Sequence, residues 1–108
     1  MDDSAIVIVL TTLPEGAGAE AFARTLVEER LAACVSVCPA MRSTYRWQDV
    51  IEEAGEHQVV IKTVASAVDA LRSRFATLHP YEVPEFLVLP AAGGGDAYLA
   101  WVRQSTRA

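Results

Sequence analysis

The segment from Ala33 to Thr63 limits the choice of fold more than any other part of this chain. It reads as two extended arms of about 14 residues each, roughly 45 Å long at the rise of a β-strand. A strand in an ordinary domain has about 5–6 residues, and a domain of this length has a radius of gyration of about 13 Å. The hairpin must therefore bend at Pro39 or project beyond the core. A free two-stranded ribbon is marginal in water, and this one carries Met41, Tyr45 and Trp47. The preferred cover is another copy of the chain, attached through edge strands with unpaired backbone groups. The alternative is a hairpin that curls back over its own sheet.

The flanking segments supply the rest of the sheet. Ala5 to Leu10, AIVIVL, is a β-branched run suited to a central strand buried on both faces. Thr11 to Pro14 end it, and Glu15 to Gly18 form a loop. Ala19, Phe22, Ala23, Leu26, Val27 and Leu31 then recur at helical spacing, which predicts a helix over 17–31. Ala33 to Val37 is a strand broken at Pro39, and Met41 to Val50 resumes it. The turn is expected at Glu53 to Glu56, with HQVVIKT (57–63) as the returning arm. Ser66 and Asp69 resemble a capping box ahead of Val68, Leu71, Phe75 and Leu78, a second amphipathic helix. Val83 to Leu89 is a fourth strand, the triple glycine 93–95 a linker, and Asp96 the cap of a last helix carrying Leu99 and Val102.

The order β-α-β-β-α-β plus a C-terminal helix is an α+β, ferredoxin-like arrangement. Its first and third strands are central. Proline is confined to sheet edges. Pro39 falls in the second strand and Pro84 in the fourth, as that topology requires.

The length predicts one domain over residues 1–108. A hydrophobic content of 52% is ample for a core. The net charge of -5 lacks the basic face of a nucleic-acid binder. The acidic start Met1 to Ser4 is not a secretory signal, and Ala5 to Leu10 is too short to span a bilayer. A soluble cytoplasmic protein is expected, with no membrane or nucleic-acid partner. Cys34 and Cys38, on one strand, would lie about 13 Å apart, beyond the roughly 7 Å limit for a disulfide. They read as buried thiols in a reducing compartment.

The stretch LHPYEVPEF (78–86) has two readings. Pro80 disfavours helical geometry at His79, so the second helix stops at about Leu78. A histidine there sits at the negative end of the helix dipole, which favours its protonated form. In the functional reading His79 and a carboxylate converge at a subunit boundary. Glu82 and Glu85 point to opposite faces of an extended segment, so they are not expected to share one ion. Lys62, the only lysine, either reaches solvent at a strand end or projects into an inter-subunit cleft near Tyr81. Tyr45 and Trp47 alternate on one hairpin face and read as interface core. No nucleophile–base spacing or metal-hydrolase motif is present, and the absence of asparagine excludes acylphosphatase chemistry on this topology. HQVVIKT lacks the aromatic residues of an RNA-recognition sheet.

Five segments carry a resemblance. LVEERLAACVSVCP (26–39), STYRWQDVIEE (43–53), VVIKT (59–63), LHPYEVPEFLVLP (78–90) and YLAWV (98–102) together resemble the CutA divalent-cation tolerance family, in order and spacing. The resemblance implies a non-enzymatic homotrimer of ferredoxin-like subunits, built through the long hairpins and edge strands and similar in shape to the trimeric PII signalling proteins. Tyr45, Trp47 and Pro84 would lie at its interface. It also implies a role in tolerance of divalent metals, with Cu(II) or another divalent ion as ligand. The family's copper ligands map onto His79 and Glu85. Thr11, or alternatively Thr12, stands where the family has a cysteine, so the thiolate that selects Cu(I) is missing. The alternative function is a PII-like sensor of a small anion, with Lys62, Tyr81 and Glu82 lining the inter-subunit cleft.

Overall fold

A computed structural model describes residues 2–107. The elements are β1 (Ile6–Pro14), α1 (Ala19–Glu28), β2 (Cys34–Trp47), β3 (Val50–Val64), a 3-10 turn (Ala65–Ala67), α2 (Val68–Leu78), β4 (Leu87–Pro90) and α3 (Asp96–Ser105). The four strands form one antiparallel sheet in the order β2-β3-β1-β4, with the first and third strands central as expected.

One face of the sheet is packed. Val7, Val9 and Leu13 of β1 and Val59 and Ile61 of β3 meet Phe22 and Leu26 of α1 and Leu71 and Phe75 of α2, all buried. Val27, expected on the core face of α1, is exposed. The helix ends earlier than its apolar spacing suggests because Arg30 adopts a left-handed φ of 59°. The amides of Arg30 and Leu31 then turn back to the carbonyls of Val27 and Leu26, a Schellman ending.

The other face is not packed in this chain. Ile8 and Leu10, predicted to be covered, are half-buried, and their β4 partners Leu89 and Leu87 are exposed. Only the far end of this face is covered, where Val102 and Leu99 of α3 pack on Ile6 and Val64.

The hairpin projects. The β1–β3 ladder ends at Pro14 and Glu56, while the β2–β3 ladder continues to Trp47 and Val50. Residues beyond that point form a two-stranded arm, and the chain is 44 × 26 × 24 Å in extent. The arm begins at an irregularity between Val37 and Ala40 that takes in Pro39. There the Nδ1–H of His57 donates to the Cys38 carbonyl at 2.8 Å, satisfying an acceptor the ladder has skipped.

Several local expectations are corrected. The turn is Gln48-Asp49, both with positive φ, and not Glu53 to Glu56, which lie inside β3. β1 continues to Pro14, because Thr11, Thr12 and Leu13 keep pairing with β3. β4 is only Leu87–Pro90, so Pro84 precedes the strand. No side chain caps α2 or α3. Ser66 lies in the 3-10 turn, and Gly95, not Asp96, is the residue before α3. Cys34 and Cys38 are free, as expected, but half-buried.

Candidate functional site

At the root of the arm, on the open sheet face, lies a groove of about 620 Å³. Strand alternation selects its lining. Thr12 and Gln58 face each other across β1 and β3, and Glu56 follows two residues along on the same side. Met41, Ser43, Tyr45, Trp47 and Glu52 continue the same face out along the arm. The far wall is the segment after α2, through Pro80, Tyr81, Glu82, Val83 and Glu85. That segment is irregular and not extended, so Glu82 and Glu85 both reach the groove, contrary to the expected opposition.

Two hydrogen bonds fasten the wall to the floor. Tyr81 Oη donates to Glu56 Oε2 at 2.7 Å. Gln58 Nε2 donates to Glu85 Oε2 at 3.1 Å and to the Thr11 carbonyl at 2.6 Å. His79 supplies a third link from below. Its Nε2 lies 2.6 Å from the Thr12 carbonyl, and its Nδ1 is 3.1 Å from the Tyr81 amide. An amide only donates and a carbonyl only accepts, so the ring is neutral with its proton on Nε2. His79 is 8% exposed, and its ring packs against Phe75, Tyr81 and Phe22.

The electrostatics of the groove follow from this packing. Burial pushes the His79 pKa below its ordinary value, outweighing the Thr12 hydrogen bond and the Glu56 charge. The helix-dipole expectation of a protonated ring is therefore corrected. For Glu56, burial is the largest single effect and opposes ionisation. Hydrogen bonding from the hydroxyls of Tyr81, Ser43 and Thr12 opposes it, and the carboxyl is held below the usual range. Burial, followed by the adjacent Glu56 carboxylate, pushes the Tyr81 phenol well up. Burial and the charges of Glu52 and Glu56 raise Tyr45 as well. The lining holds the carboxylates of Glu52, Glu56, Glu82 and Glu85 and no basic side chain.

The expected site residues divide. Tyr45, Trp47, Tyr81, Glu82 and Glu85 share the groove. Lys62 does not join them within one chain. It pairs in register with Ile8 and Cys34, and its ammonium sits 5.8 Å from the centre of the Tyr98 ring. Thr11 faces the helices with 0% exposure, while Glu85 lies on the opposite side of the sheet with Gln58. Among the described residues no group of three or more His, Cys, Asp or Glu side chains converges as a ligand set for a metal. Thr11, His79 and Glu85 therefore do not fit a copper ion as they stand in this chain. Glu56, Gln58, Ser43 and Glu52 were not anticipated. The alternation of Glu52, Glu56 and Gln58 was the available signal, and the misplaced turn concealed it.

Fold and groove define a class: a small α+β protein whose sheet extends into a two-stranded arm, with an acidic groove where the arm begins. Comparison gives that class a family. Residues 7–105 match the CutA1 divalent ion tolerance protein family. The divalent-cation tolerance protein CutA of Thermus thermophilus is 46% identical over 99 residues, covering 92% of this chain and 96% of that protein. That of Pectobacterium atrosepticum is 44% identical over 101 residues, covering 94% and 92%. The solved structure of the Thermus thermophilus divalent cation tolerance protein aligns with a TM-score of 0.91 at 44% identity, over 94% of this chain and 99% of that one. This chain belongs to the CutA1 divalent ion tolerance family.

Proposed function

We propose that this chain acts in tolerance of divalent cations as a non-enzymatic, cytoplasmic homotrimer of ferredoxin-like subunits arranged as in the PII proteins. The observation that carries the trimer is the uncovered apolar sheet face, Ile8, Leu10, Leu87 and Leu89, together with an arm whose Val50 and Ile51 are 57% and 65% exposed. Apolar surface of this extent on a chain of this size calls for a partner. Three identical copies joined around an axis give each open face and each arm the same cover, with Tyr45, Trp47 and Pro84 in the contacts.

The cation role rests on family membership and on the sign of the groove. Four carboxylates and no base favour a positive ion there. Of the ligand pair carried over for copper, Glu85 faces the groove and keeps a carboxylate oxygen beyond its bond to Gln58. The small-anion reading is not carried forward, because the acidic lining repels an anion and Lys62 lies beside Tyr98. The test is growth of a host lacking its own homologue on graded copper and zinc. Expression of this chain is expected to restore tolerance. Unchanged sensitivity at matched expression contradicts the reading.

A further inference from the structure

The ligand set carried over from the family and the hydrogen bonding of this chain disagree at His79. We infer that His79 is a positioning strut that anchors the 79–86 segment to β1, and that its imidazole is not a copper ligand in this protein. A metal bonds to an imidazole through a nitrogen lone pair lying in the ring plane. In neutral His79 only Nδ1 has one, and it accepts the Tyr81 amide at 3.1 Å. Nε2 carries the ring proton and spends it on the Thr12 carbonyl at 2.6 Å. Binding a metal at Nδ1 would leave the Tyr81 amide without its acceptor. Binding at Nε2 would set a lone pair or a metal against a carbonyl oxygen. Either change costs a hydrogen bond at a site that is 8% exposed and closed by three aromatic rings.

The other two positions do not compensate. The Thr11 hydroxyl lies on the helix side of the sheet, 3.4 Å from the Thr12 carbonyl. Glu85 lies on the groove side. A cysteine at position 11 would point into the core. What His79 does instead is set the wall of the groove. The amide it holds belongs to Tyr81, whose phenol reaches Glu56.

The sequence has two histidines, so His57→Gln leaves His79 as the only imidazole. In that variant, ¹⁵N NMR is expected to show the Nε2–H tautomer of His79, unchanged on adding excess Zn(II). Stoichiometric Cu(II) is expected to give no imidazole-nitrogen coupling in its electron paramagnetic resonance spectrum. Adding His79→Gln should speed exchange of the Tyr81 amide at least about tenfold. A metal-shifted His79 signal, nitrogen coupling that vanishes with His79→Gln, or unaltered Tyr81 exchange would each overturn the inference. The NMR readings use intact His79, so they stand even if the double variant fails to fold. The inference does not depend on the proposed function, since tolerance through other ligands survives it.

Discussion

Tyr81 donates its phenolic proton to Glu56 across 2.7 Å, tying the segment after α2 to the third strand where the arm leaves the sheet. The two residues are 25 apart in sequence, and both line the groove. Glu56 is 6% exposed, so its charge depends on the donors around it.

Removing one of those donors has a defined cost. Tyr81→Phe keeps the ring packing and takes away only the hydroxyl. It is expected to destabilise the fold by about 1–3 kcal/mol and to raise the Glu56 pKa. Denaturant unfolding and NMR titration of the Glu56 carboxyl measure the two effects. Loss of stability with no change at Glu56 would contradict the assignment.

Stability should fall on mild acidification. Folded His79 titrates below 6.5, its ordinary value, so the unfolded chain takes up a proton at higher pH than the folded one. Stability is full above pH 6.5 and declines as pH drops from there to the folded pKa. Glu56 adds a second loss at lower pH. Its folded pKa lies below 4.5, so its contribution is present above 4.5 and disappears as pH falls through the folded value. Unfolding midpoints from pH 8 to 2 test both, and His79→Gln should flatten the upper part of the curve.

The arm's turn is open to improvement. Gln48 and Asp49 have φ of 49° and 65°, as a two-residue type I′ turn demands. Replacing them with Asn-Gly should stabilise the chain by about 1 kcal/mol, since left-handed backbone costs asparagine less than glutamine at 48 and costs glycine least at 49. An unchanged or lowered unfolding midpoint would contradict this.

That turn also marks what the sequence could and could not reveal. The central strands were legible because long β-branched runs without internal proline fit no other position. Two helices were legible from the spacing of Phe22 and Leu26 and of Leu71 and Phe75. The turn was missed because Gln-Asp carries no glycine signal, while Gly55 drew it six residues downstream. Gly55 in fact sits under the Glu15 carboxylate, where an added Cβ would lie 2.6 Å from Oε1. The cap expected at Ser66 failed because a 3-10 turn, not a capped end, leads into α2. His79 was singled out, but its role depends on a carbonyl 67 residues away, which no local pattern encodes.

The arm supplies the test of assembly by substitution. Trp47→Ala with Tyr45→Ala removes two exposed aromatic rings from the face proposed as interface core. The pair is expected to weaken assembly at least about tenfold, an association loss of roughly 1.4 kcal/mol or more. Sedimentation across a dilution series measures it. An unshifted midpoint would remove these residues from the contact.

Light scattering on the unmodified protein at micromolar concentration bears most directly on the central claim, that the open sheet face and the arm are shared between copies. A mass of about 35 kDa, three times the 11.7 kDa of one chain, is the predicted result. A stable species of 11.7 kDa whose arm amides resist exchange would contradict it.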